Sequence, residues 1–342
     1  MKKSLIALAV LAASGAAMAQ SSVTLFGIVD AAYTKGSGSV SNKQQLTNSG
    51  YNSSRLGFRG VEDLGGGMRA EFWLEAGVGN DSGAGANTNT NNQATGATTS
   101  GLTFNRKSTV GLVGSMGEIR LGRDYSPQFY PDAQYDPFGT NGVASSLIAY
   151  GGGFAAVRAS NMVAYHSPNV GGFTVMLGSY MGENNTGAAA GKAGDGNGIH
   201  VRYAKGPLAL GIASATTKTG LTTEVKTSTM GGSYNLGVAN VMFNSNTVSN
   251  TGAADIKGTL IGAAIPMAGG TFKLSNASLK QGAAETKRNA IGYVKPLSKR
   301  TSLFATYARN GNSGGAARGL NGATVNANQS STGYDLGVNH TF

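Results

Sequence analysis

Period-two alternation runs through almost the whole chain and constrains the fold more than any other feature of the sequence. In SSVTLFGIVDAAY, Val23, Leu25, Gly27, Val29 and Ala31 share one face, and Thr24, Phe26, Ile28 and Asp30 share the other. In MRAEFWLEAGV, Ala70, Phe72 and Leu74 oppose Arg69, Glu71, Trp73 and Glu75. Alternation of this kind marks strands that separate two environments. Five such runs precede position 124, near 20–33, 52–60, 68–78, 104–114 and 117–124. Eleven more follow, near 161–167, 172–181, 198–204, 208–217, 226–234, 238–247, 256–265, 271–281, 287–294, 301–309 and 331–342, which makes 5 + 11 = 16.

Sixteen strands need a closed arrangement. Short turns at 168–171, 205–207, 235–237, 266–270 and 295–300 interleave with long polar loops such as 182–197 and 311–329. Short turns at one end, longer loops at the other and an even strand number describe an outer-membrane barrel. Sixteen strands also leave an aqueous channel, which eight would not. The last run, GYDLGVNHTF, puts Tyr334, Leu336, Val338, His340 and Phe342 on one parity and ends on Phe342 itself. That strand has to pair with the first, because an open edge cannot stand in lipid. The expected fold is therefore all-β, a 16-stranded antiparallel transmembrane β-barrel. No segment offers about 20 consecutive apolar residues for a spanning helix. The nearest, 260–268, is broken by Gly262 and Pro266.

The first residues stand outside this pattern. Lys2 and Lys3 precede an apolar run from Leu5 to Ala13, and Ala17-Met18-Ala19 reads as a cleavage site, so 1–19 is expected to be a secretory signal peptide and 20–342 the barrel domain. The absence of cysteine excludes a disulfide scaffold and thiol chemistry. Formal charge is +11, or +9 once Lys2 and Lys3 are removed, but the charges are scattered singly. No basic run supports nucleic-acid binding.

One segment lacks the alternation. From Asp124 to Tyr165 the chain reads DYSPQFYPDAQYDPFGTNGVASSLIAYGGGFAAVRASNMVAY, with Asp124, Asp132 and Asp136 among its turns and aromatics and Arg158 near its end. Long loops of this kind inside a compact fold are usually functional. The loop, about 124–160, is expected to fold into the barrel and form its constriction. Gly151-Gly152-Gly153 lacks the strand–helix context and following lysine of a phosphate cradle, and fits a loop with tight bends.

The stretches SSVTLFGIVDAAY, NSSRLGFRGVEDLGGGMRAEFWLE, RKSTVGLVGSMGEIRLGRDYSP, YDPFG and RASNMVAYHSPNVGGFTVMLGSY, with the terminal aromatic, resemble the general diffusion porins of Gram-negative outer membranes, close to the β-proteobacterial type. The resemblance runs from about Gln20 to Phe342. It implies a homotrimer in the outer membrane, each barrel with its own water-filled pore and an inward-folded third loop. It implies contact with outer-membrane lipid and lipopolysaccharide, and with the assembly machinery, for which Phe342 would be the signal. By the same resemblance Arg55 and Arg106 take the places of pore-wall arginines, and Arg158 that of the basic residue after the inward loop. Asp132 and Asp136 take those of the loop carboxylates. Arg123 resembles a subunit-contact residue whose usual partner is an acid in the second loop, where this chain offers Asp81.

Strand parity adds Arg59 and Arg120 to the inward set, and Asp124 joins the loop acids. Lys107 falls on the other parity from Arg106. Basic wall groups facing acidic loop groups set up a transverse field, and rings of charge set ion preference. Arg55, Arg106 and Arg158 against Asp132 and Asp136 leave one positive charge in excess, so ions and small hydrophilic solutes are expected to pass passively with a mild preference for anions. No cofactor is required. His166, His200 and His340 show no ligand spacing, so no metal site is expected. No G-x-S-x-G motif or phosphate loop is present, so an enzyme is not expected. The alternative is a structural or adhesive surface barrel with a closed lumen.

Overall fold

The computed structural model describes residues 22–93, 98–99, 101–146, 155–185, 187–188 and 190–342. The export signal expected over 1–19 and the glycines at 151–153 lie outside them. Among the described residues sixteen long strands form one antiparallel sheet. They are β1 (Ser22–Ser37), β2 (Lys43–Asn48 continued by Arg55–Gly65), β3 (Met68–Gly79), β4 (Lys107–Gly114), β5 (Gly117–Tyr125), β6 (Arg158–His166), β7 (Phe173–Tyr180) and β8 (Gly196–Lys205). Then come β9 (Leu208–Lys218), β10 (Glu224–Asn235), β11 (Asn240–Asn250), β12 (Ile256–Met267), β13 (Gly270–Gln281), β14 (Ala284–Pro296), β15 (Thr301–Ser313) and β16 (Ser331–Thr341).

Each strand pairs with its neighbours in sequence, and β1 pairs with β16 from Ile28↔Thr341 to Ser37↔Thr332, which closes the sheet. Phe342 extends the seam: its N–H donates to the Gly27 carbonyl at 3.1 Å and its carbonyl accepts from the Gly27 N–H at 3.0 Å. Its ring lies over Gly27, where a Cβ would stand 2.3 Å from it. Closure leaves no unpaired ladder facing lipid.

The alternation read from the sequence is the inside and outside of this barrel. Val23, Leu25 and Val29 on β1, Ile212 on β9, Ile261 on β12 and Leu303 on β15 are exposed on the outer surface. Aromatic pairs sit outward near the short turns, Phe173 with Tyr203 at 4.8 Å and Phe272 with Tyr293 at 4.6 Å, as interfacial girdles do.

The structure corrects several expected positions. β2 begins at Lys43, inside the expected loop, and is interrupted at 49–54. The asymmetry of the connections is weaker than expected, since 219–223, 251–255 and 282–283 at the long-loop end are short. β5 runs through Tyr125 and β6 starts at Arg158, so the loop spans 126–157 and Asp124 belongs to a strand. The loop also holds a helical turn, α1 (Phe129–Gln134). Lys107 faces inward, paired with Glu75 in the ladder. Arg106 precedes the first residue of β4 and does not fix that strand's parity.

Candidate pore constriction

The narrowing is built from a charged wall and a docked loop. Cross-strand register makes the wall. Gly57, Glu75 and Lys107 are successive partners on β2, β3 and β4, as are Arg59, Trp73 and Thr109. Side chains directly opposite in a sheet share one face, and opposite charges there attract.

Glu75 is the hub of the upper tier. It is buried, accepts from Arg106 Nε at 2.6 Å and Arg55 Nη1 at 3.4 Å, and its other oxygen accepts from the Trp73 indole at 3.1 Å. Arg55 Nε also donates to the Ser53 carbonyl at 2.8 Å. Arg158 Nε donates to the Arg106 carbonyl at 2.8 Å, and its guanidinium lies 4.7 Å over the Tyr125 ring. Two guanidiniums pair with one carboxylate and the third, Arg158, is held beside them without an acid of its own, a balance of 3 − 1 = 2 positive charges.

The lower tier is neutral. Arg120 bonds Glu118 through two nitrogens at 2.7 Å each and Asp124 at 2.6 Å, and Lys107 reaches Asp124 at 3.1 Å. Two cations meet two acids. Asp124, expected to be a lumenal loop acid, is buried as the link between Lys107 and Arg120.

The loop lies on the opposite wall, in a groove made by inward-facing glycines. A Cβ at Gly231 would stand 2.6 Å from the Tyr135 ring, one at Gly262 2.5 Å from Pro137, one at Gly292 2.8 Å from Phe138 and one at Gly333 2.8 Å from Val143. Tyr130 stacks on His200 with centroids 5.2 Å apart. Lys273 Nζ sits 4.7 Å over Tyr51 and 5.8 Å over Phe138.

Both loop carboxylates are spent on this docking. Asp136 is 5% exposed and accepts the backbone N–H groups of Phe138, Thr140 and Ser146 at 2.9, 2.7 and 3.1 Å. Asp132 is 3% exposed and faces Asn246 of β11 at 3.5 Å. Burial pushes the Asp132 carboxyl up to about 7 and raises that of Asp136. The expected field of wall arginines against lumenal loop carboxylates is therefore not the arrangement present, because these acids face the wall behind the loop.

The tip is held at the seam of the barrel. Val143 N–H donates to Asp335 of β16 at 2.7 Å. Asp30 of β1 accepts Gly50 N–H at 2.7 Å and Asn52 N–H at 2.9 Å, which fixes the break in β2 beneath the tip. Asn339 of β16 donates to Asp30 at 2.9 Å. Arg288 donates to the Ser145 carbonyl at 2.9 Å.

The structure thus brings Arg55, Arg106 and Arg158 together, sets Arg120 in a neutral cluster, and leaves Arg59 toward the short-turn end. Arg123 donates to the Asn105 and Asn89 carbonyls at 2.6 and 3.2 Å and to Ser160 Oγ at 2.7 Å, while Asp81 accepts from Asn48. Glu75 and the groove glycines were not singled out from sequence. Glycine recurring at inward parity in otherwise regular strands was the available signal. Among the described residues no group of His, Asp and Glu is arranged to hold a metal ion.

Residues 5–315 match the Gram-negative porin family model. Outer membrane porin protein 32 of Delftia acidovorans is 40% identical over the whole of both chains. An outer membrane porin protein of Bordetella pertussis is 28% identical, covering 91% of this chain and 95% of its own. Among solved structures, an anion-selective porin from Comamonas acidovorans superposes with a TM-score of 0.83 at 34% identity, covering 94% of this chain and all of the other.

Proposed function

The chain belongs to the Gram-negative porin family, and from that premise we propose that its pore passes small hydrophilic anions in preference to cations, with Arg55, Arg106 and Arg158 at the narrowest section. It is an outer-membrane porin, a water-filled channel for passive diffusion. The observation that carries the preference is the imbalance around Glu75, three guanidiniums to one carboxylate. The loop acids do not offset it, being buried and turned into the wall, where burial pushes the carboxyl of Asp132 up to about 7 and raises that of Asp136. The similar Comamonas porin is itself described as anion-selective. Chemistry on the solute has no part in this reading, since a charged diffusion path needs neither nucleophile nor cofactor. The zero-current potential in a planar bilayer under a salt gradient tests it. The sign for anion preference is expected, shrinking as salt rises and screening shortens the reach of wall charges. A cation-selective wild type, or a silent membrane, refutes it.

Residues 1–19 are read as the export signal. The native state is read as a homotrimer in contact with lipopolysaccharide, packed through the outer face of β1, where Val23, Leu25 and Val29 offer an apolar surface beside Gly27, which the Phe342 ring covers. Phe342 is read as the mark by which the assembly machinery recognises the chain. It also completes the seam at Gly27. Deleting Phe342 is expected to lower the yield of assembled protein at unchanged synthesis, scored by cross-linking in mild detergent. Normal yield of the truncated chain refutes the assembly role, and wild-type protein that stops at monomer refutes the trimer.

A further inference from the structure

We propose that Arg59 and Trp73 form a second anion-binding position, below the constriction and toward the short-turn mouth, that takes small oxyanions such as carboxylates and phosphate. Arg59 lies four residues from Arg55 on the same inward face of β2, about 13 Å farther along the strand at 3.3 Å per residue.

Its environment differs from that of the arginines in the two tiers, each of which is hydrogen-bonded. The Arg59 guanidinium is 5.2 Å from the Trp73 ring centroid and 5.5 Å from that of Phe26, and the two rings meet edge to face at 5.1 Å. Trp73 also carries Lys107 Nζ at 4.9 Å. Arg59 is exposed, and among the described residues it makes no ion pair or side-chain hydrogen bond. The acids nearest along the ladder are already engaged: Glu71 by Arg69, Glu75 by Arg106, Arg55 and Trp73, and Asp63 by the Gly65 N–H.

This is the arrangement that makes a guanidinium a good receptor. Aromatic faces hold the cation in place by its attraction to the ring quadrupole, which consumes none of its five N–H donors. The planar fork then presents paired donors that match the two oxygens of a carboxylate or phosphate. Arg120, by contrast, has its donors and its charge taken up by Glu118 and Asp124. An anion released from the upper tier would find Arg59 as the next unneutralised group on the same wall.

The inference rests on anion passage through the pore, but its test reads binding. Trp73 is the only tryptophan in the chain; its emission senses both Arg59 and the Glu75 hub that its indole touches, and the Arg59→Gln variant separates the two. Purified full-length protein in detergent is titrated with sodium phosphate against sodium chloride at constant ionic strength. A saturable change in emission specific to phosphate is expected. Arg59→Gln is expected to weaken it about tenfold, one lost charge-assisted pair, while Arg59→Lys weakens it less and Arg300→Gln, on a short turn, leaves it unchanged. Heat-modifiable migration on a gel confirms that each variant is folded. No saturable response in the wild type, or an equal response in Arg59→Gln, overturns the proposal. An anion-selective channel without the response removes this position and keeps the proposed function. A response in a cation-selective channel keeps the position and removes that function.

Discussion

Exchanging Arg106 for glutamine is expected to move the zero-current potential of the channel toward cations, lowering the anion-to-cation permeability ratio about fivefold. Arg106 is the nearest cation to Glu75, at 2.6 Å, and supplies one of the three positive charges of the upper tier. Without it the balance falls from two excess charges to one. Glu75 then keeps only Arg55 at 3.4 Å and the Trp73 indole. A unit charge about 8 Å from a passing ion, in a medium of intermediate dielectric constant near 40, is worth about 1 kcal/mol, which corresponds to about fivefold. Glutamine keeps much of the side-chain volume, so a change in selectivity at little change in conductance separates charge from size. An unchanged potential would show that the tier does not face the ion path.

The second large effect concerns size. Gly142→Ala is expected to lift the loop tip and raise single-channel conductance, with faster entry of larger sugars in liposome swelling. Gly142 has φ +63°, a left-handed conformation that costs a residue with a Cβ about 1–2 kcal/mol. Space is a harder limit: the added carbon would stand 2.2 Å from the Gly50 carbonyl oxygen and 2.7 Å from Asp335 Oδ2. Relief requires the tip to move, which breaks the bond from Val143 N–H to Asp335. A hydrogen bond to a charged group contributes about 1.5–3 kcal/mol. That lost bond opposes the displacement, but an added carbon 2.2 Å from a backbone oxygen cannot be kept by any side-chain rotation, so the overlap outweighs it and the displaced tip becomes the populated state. The barrel itself does not depend on this contact, so heat-modifiable migration should be retained. Wild-type conductance in the variant would mean that the tip does not limit the opening.

The barrel was legible in the sequence because its two surfaces impose period two on every strand. Sixteen strands could be counted for that reason, down to Tyr334–Phe342 on the outer face. Convergence of Arg55, Arg106 and Arg158 followed from resemblance as much as from parity, since Arg106 and Arg158 sit at strand beginnings where parity is weak. Lys107 shows the cost of that weakness: one residue of offset at the start of β4 turned an inward cation outward in the reading. The loop acids failed for another reason. A sequence shows that Asp132 and Asp136 are carboxylates, but not that one will collect the loop's own N–H groups and the other will face Asn246. Whether a loop acid looks at water or at the wall is decided by where its backbone bends. The glycine groove is legible in hindsight, because Gly231, Gly262, Gly292 and Gly333 all occupy inward positions where a larger side chain would fill the lumen.

The seam has a consequence for the order in which the molecule acquires its properties. Asp30 and Asp335, which hold the break in β2 and the loop tip, lie on the first and last strands. Until those strands meet, the groups that set the aperture have no common frame. The filter is therefore completed only with the final ladder, the same pairing that leaves no open edge in lipid. Sieving thus depends on the seam as much as on the loop, and leakiness to large solutes is the expected consequence of loosening the pairing between the first and last strands.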